Sequence, residues 1–143
     1  MYVQHDPEYH YFNFNQIDRQ RLRPVVLFDY LVNNADRKGS HVLVDNEDHM
    51  WLIDHGICFH VDDKLRTVIW DFAGEKIPKR YSADLIKFRQ ALTDTGSWVV
   101  GELGKYIDTD EITAIITRTS RVLARGHFLN PPPNRRAYPW PPV

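Results

Sequence analysis

The sequence predicts an α+β chain, mainly helical, built around one short β-hairpin. Three observations predict it. Apolar residues recur at helical spacing over 18–34, 83–94 and 109–125. Two short apolar runs, His41-Val42-Leu43-Val44 and Met50-Trp51-Leu52-Ile53, flank the polar turn Asp45-Asn46-Glu47-Asp48, which is the pattern of a hairpin. Glycine, proline and asparagine punctuate the chain between these stretches. The length, 143 residues, suits one domain, and 43% hydrophobic residues with four tryptophans suffice for a core.

Residues 1–16 are rich in His, Tyr, Phe and Asn without a clean period and read as an irregular, aromatic-anchored arm. The body of the domain runs over 17–129. Its first helix covers 18–34, with Pro24 in the first turn, where a missing N–H is harmless. Leu27, Phe28, Leu31 and Val32 form its apolar face. Asn33-Asn34 should end it, because asparagine tolerates the left-handed conformation of a helix end. After the loop Ala35–Ser40 and the hairpin, residues 57–72 read as an ordered loop carrying a short helix. Ser82 should cap a helix over 83–94 with Leu85, Phe88 and Leu92 inward, ended by Gly96-Ser97. A weaker helix lies around 99–106, since it contains Gly101 and Gly104. Asp108 or Thr109 caps the last helix, whose inward residues are Ile112, Ile115, Ile116, Val122 and Leu123, and Gly126 stops it. Residues 130–143 hold six of the nine prolines and form an extended tail. It is either a strap across its own domain, held by Tyr138 and Trp140, or a polyproline ligand for a partner's aromatic groove.

A net charge of −1 argues against nucleic acid as a partner and against a polybasic membrane-surface protein. No apolar run reaches the ~18 residues of a membrane span. The opening residues lack the basic and apolar regions of a secretory signal. The single cysteine, Cys58, excludes an internal disulfide and fits a cytoplasmic location, as a small buried apolar residue.

The chemistry concentrates between Asp29 and Gly56. Asp36-Arg37 follows a helix, and Asp54-His55-Gly56 ends a strand. The hairpin between them returns its end close to its beginning, so the two carboxylates are expected to face one space. Phosphoryl transfer from ATP needs such a pair: one carboxylate orients the attacking hydroxyl and accepts its proton, and the other holds Mg²⁺ against the phosphates.

The stretch Asn33-Asn34-Ala35-Asp36-Arg37-Lys38-Gly39-Ser40-His41-Val42-Leu43-Val44 resembles the catalytic loop of phosphatidylinositol 3-/4-kinase-like enzymes, and Trp51-Leu52-Ile53-Asp54-His55-Gly56 resembles their metal-binding motif. Asn-Asn-Ala-Asp-Arg-Lys-Gly, the run Phe59-His60 to Trp70 and the final Pro-Trp-Pro-Pro resemble a bacterial, largely actinobacterial, group of that family with unsettled substrates. The resemblance covers about residues 22–143 and implies the C-terminal lobe of a kinase-like fold, with ATP and Mg²⁺ as cofactors. It makes Asp36 the catalytic carboxylate and Asp54 the Mg²⁺ ligand, with Arg37 bracing the loop or neutralising phosphate. His41 stands where the family has an asparagine metal ligand, so Asn33 or Asn34 is a candidate for the missing oxygen. His55 replaces a phenylalanine. The 35 residues before Asp36 contain neither Lys nor Gly and are not expected to build the smaller lobe that covers the nucleotide. The phosphoryl acceptor is unidentified; Lys64 and Arg66 suit a phosphoinositide, but Asp62 and Asp63 adjoin them. Two other classes remain open: a non-catalytic kinase-like remnant that binds a partner, and a metal-dependent hydrolase using Asp36, His41, Asp54 and His55.

Overall fold

The computed structural model describes residues 3–143; the first two residues of the expected arm lie outside the described residues. The chain is α+β. It comprises five α-helices and one two-stranded antiparallel sheet among the described residues.

The predicted first helix is two helices, α1 (Gln16–Arg21) and α2 (Arg23–Val32). Pro24 is the cause. It has no N–H to extend a helix from below, so Leu22 ends one helix and begins the next. Asn15 caps α1 by accepting the Asp18 N–H at 2.9 Å. Asn33 ends α2 in the left-handed region, φ +57°.

Strands β1 (Val42–Val44) and β2 (Met50–Leu52) pair with Val42 opposite Leu52 and Val44 opposite Met50. The Asp45 carboxylate folds the turn: it accepts the N–H groups of Glu47 and His49 and the Trp51 indole N–H.

Residues 57–72, all described, form no helix, contrary to the expectation. Their backbone is committed elsewhere. Arg37 N–H donates to the Arg66 carbonyl, Val68 N–H to Arg37, Arg66 N–H to Asn34 and Thr67 N–H to Ala137. The segment is thus strapped along the loop that carries Asp36.

Helix α3 (Lys79–Thr93) starts earlier than expected, after Pro78, and Ser82 lies in its first turn rather than at its cap. Helix α4 (Trp98–Leu103) is capped by Ser97. Helix α5 (Thr109–Arg125) opens on a reciprocal Asp108–Glu111 capping box and ends at Gly126, φ +66°. The main core gathers Leu22, Leu27, Val42, Ile69, Phe72, Val122 and Phe128; Leu92, Ile112 and Ile115 form a second cluster.

The tail is a strap, but not through the residues expected. Tyr138 and Trp140 are exposed. The contacts are the Ala137 carbonyl to Thr67, the Pro142 carbonyl to the Gly39 N–H, and Arg135 to the Leu65 carbonyl and Asp63. The arm meets the same loop from the other side. A Cβ on Gly39 would lie 2.8 Å from the Phe12 ring, so this position excludes any side chain while that ring stays in place. Arm and tail together close around the loop that positions Asp36. No helix is long and apolar enough to cross a membrane among the described residues.

Candidate functional site

The site is built on a buried scaffold. Asp29 lies on α2 and Arg37 on the following loop, and both are closed to solvent. Arg37 donates to both Asp29 oxygens, to the His41 carbonyl at 3.1 Å and to the Ile53 carbonyl at 3.0 Å. Its Nη2 also lies 3.0 Å from His55 Nε2. One guanidinium therefore fixes the helix, both ends of the hairpin and the segment after it. This geometry answers the alternatives for Arg37. It braces the loop and is too enclosed to neutralise a phosphate.

Asn33 and Asn34 are spent in the same way, which corrects the expectation that one of them supplies a metal oxygen. Both are 1% exposed. Asn33 donates to the carbonyls of His60 and Asp62, and its oxygen accepts the Lys64 N–H. Asn34 donates to Asp29, and its oxygen accepts the Asp36 N–H at 3.0 Å. The pair thus positions the segment at 60–64 and the backbone of Asp36.

Two predicted residues, His41 and Asp54, approach one another above this scaffold. His41 closes the 3-10 turn Gly39–His41 just before β1, and Asp54 follows β2 by two residues. His41 Nε2 and Asp54 Oδ2 stand 3.5 Å apart, beyond good hydrogen-bond length. His41 Nδ1 is buried without a partner among the described residues. Burial pushes the imidazole below its ordinary pKa, while the charges of Asp54 and Asp36 pull it upward. Asp54 therefore stands beside the ring, at the far end of the hairpin that His41 begins. Asp54 holds φ +55°, a strained conformation that aspartate tolerates better than most residues, and its side chain is 59% exposed. The Asp36 side chain is 28% exposed, with Lys38 Nζ 3.7 Å from Oδ2.

Asp29 is not a candidate by sequence, whereas Lys38 is one as a partner for Asp36. Lys38 is two residues from Asp36, a spacing that returns a side chain to the same side of an extended loop; that signal was available. Asp29 gave none beyond being a charge inside an apolar helix face. His55 is half-buried, edge-on to Phe28 at 5.4 Å, and burial pushes its pKa down with help from Arg37. Cys58 is half-buried rather than in the core, and the neighbouring Ile57 is exposed.

Among the described residues no group of three or more His, Cys, Asp and Glu side chains stands as a metal ion needs. Asp54 and His41 converge as a pair, of which the carboxylate oxygen suits Mg²⁺ and the imidazole suits it less well.

The chain is similar to the Mycobacterium tuberculosis (strain H37Rv) protein Rv2133c, with 38% identity over 125 residues. The match takes in 87% of this chain and 43% of the relative, so the chain spans less than half of the relative's length. No protein-family profile matches the chain, and no solved structure matches it.

Proposed function

We propose that this chain is the larger lobe of a kinase-like phosphotransferase, similar to the phosphatidylinositol 3-/4-kinase-like enzymes, and acts in ATP- and Mg²⁺-dependent phosphoryl transfer with a smaller lobe supplied by further sequence or a partner. The observation that supports it best is the approach of Asp54 to His41 across the two ends of one hairpin, with Asp36 on the loop that leads into it. Asp36 is open enough to receive an acceptor hydroxyl, orients it and takes its proton. Lys38, beside Asp36, offsets negative charge arriving on a phosphoryl group. Asp54, with His41 next to it, is the place for Mg²⁺, which when bound neutralises the phosphates. Arg37, Asn33 and Asn34 hold these groups and touch no substrate.

A non-catalytic, partner-binding lobe is the second reading. It is favoured by the small number of metal donors and by an apolar groove of about 390 Å³ between α2 and α3, lined by Leu27, Phe28, Leu31, Leu85 and Phe88.

Titration calorimetry with Mg·ATP separates the readings. One lobe offers one wall for adenine and no phosphate lysine from above. Each lost charge-assisted contact costs roughly 1.5–3 kcal/mol. A micromolar site near ~−8 kcal/mol should thus fall to the millimolar range near ~−4 kcal/mol. Millimolar binding that Asp54→Asn abolishes, with turnover restored by fusion to the unmatched part of the longer relative, supports the kinase reading. Micromolar binding by this chain alone overturns the two-lobe account, and absent binding in both the chain and the fusion favours the non-catalytic one.

A further inference from the structure

Arg118, midway along α5, has no part in the proposed site, yet it is 5% exposed and carries a full charge. Its Nε donates to the Leu31 carbonyl at 2.9 Å and its Nη1 to the His60 carbonyl at 3.3 Å. Its Nη2 has no partner among the described residues. Neither Arg118 nor Arg121 forms an ion pair among those residues. A buried guanidinium is ordinarily paired, because an unmatched charge in the interior is expensive.

The residue lines a cavity of about 370 Å³ between α5, Tyr30 and Val61–Asp63, a size that suits a small ligand. Arg121 stands one turn further along the same helix face, and Thr113 and Thr117 complete that wall. Two carboxylates also border the cavity, and the charge of one of them, Asp63, reaches Arg118. Asp63 is held by Arg135 at 2.8 Å. Asp110 sits in the first turn of α5, where the helix N-terminus favours negative charge. Arg118, Arg121 and Asp110 thus line the cavity without an ion pair, and of these only Arg118 is buried with a free donor.

We infer that this cavity binds an oxyanion group, a phosphate or carboxylate carried by a small molecule, between Arg118 and Arg121. Arg118 Nη2 is shielded from solvent, so the inference requires the Val61–Asp63 segment to move before an anion can reach it. The His60 carbonyl is shared by Arg118 and Asn33, which connects the cavity to the segment that follows Asp54. The inference does not depend on phosphoryl transfer.

The test is a magnetic-resonance titration of the full, isotope-labelled chain at constant ionic strength, with inorganic phosphate in one arm and succinate in the other. Saturable shifts of the Arg118 Nε–H and the Val61–Asp63 amides are expected, and the arm that produces them identifies the anion class. Arg121 is exposed, so Arg121→Gln should leave the fold intact and weaken binding about tenfold, the worth of one charge-assisted contact. Equal affinity in the wild type and Arg121→Gln would show an adventitious ion only, and no saturable shift in either arm would equally overturn the inference.

Discussion

Arg37 Nη2 and Asp29 Oδ1 are 2.8 Å apart, with neither side chain open to solvent, and the same guanidinium ties down the His41 and Ile53 carbonyls. Removing one partner of a buried pair strands the other charge. Arg37→Ala and Asp29→Ala should each lose about 3–5 kcal/mol of stability. Arg37→Lys should recover only part, because an ammonium has no fork to span the carboxylate and two carbonyls. Asp36→Asn, at a partly exposed position, should change stability by only about 0.5 kcal/mol. Urea denaturation reads all four; equal stability of Arg37→Ala and Asp36→Asn would contradict the bracing role.

Asn33 serves twice, through its left-handed backbone and its three side-chain hydrogen bonds. The two parts separate by substitution. Asn33→Gly keeps the conformation and loses the bonds, a cost of about 1–3 kcal/mol for the buried groups left unpaired. Asn33→Ala adds about 1 kcal/mol for a Cβ in the left-handed region. Denaturation should therefore rank wild type above Gly and Gly above Ala. Ala as stable as Gly would remove the backbone part of this explanation.

The hairpin, the Asn33 helix end and the Asp108–Gly126 limits of α5 were legible because each depends on local chemistry: two short apolar runs around a polar turn, a residue that tolerates positive φ, a capping aspartate. That the hairpin returns Asp54 to the side of its beginning at His41 was legible because a hairpin constrains its own ends. What the sequence hid depends on distant partners. The segment at 57–72 gives up a helix because its N–H groups bond to Asn34, Arg37 and Ala137. Asn33 and Asn34 looked like free ligand oxygens until the fold brought backbone N–H groups onto them. Tyr138 and Trp140 looked like anchors, whereas the tail is held by its backbone and Arg135.

Burial pushes His41 and His55 below their ordinary value of 6.5, and Arg37 adds to the effect on both. Asp54 opposes it at each ring, joined by Asp36 at His41 and by Asp29 at His55, while Lys38 assists at His41. Above the ordinary value both rings are neutral in the folded and unfolded chain, so stability is level. As pH falls below it, the unfolded chain takes up protons that the folded chain resists, and stability declines. Urea midpoints measured from about pH 8 down to about pH 5 should be flat at first and then fall. His55→Phe should make the fall shallower, and a midpoint that rises on acidification would contradict the assignment.

Cys58 is pushed up to about 11, chiefly by burial and then by the Asp29 charge. Little thiolate exists at pH 8, and thiolate is the reactive form. Iodoacetamide should therefore label the native chain at least about tenfold more slowly than the chain in urea. Equal rates would mean the thiol is neither shielded nor shifted.

The proposed function makes Asp36, His41 and Asp54 one metal-dependent site. Manganese-induced broadening of backbone amide signals measures it residue by residue. Substoichiometric Mn²⁺ should broaden the amides around 34–38, 41 and 53–56 first, and Mg·ATP should compete. Asp54→Asn should abolish the effect, and Asp36→Asn should reduce it less. Broadening centred elsewhere, such as at Asp62-Asp63, or undiminished in Asp54→Asn, would contradict the claim.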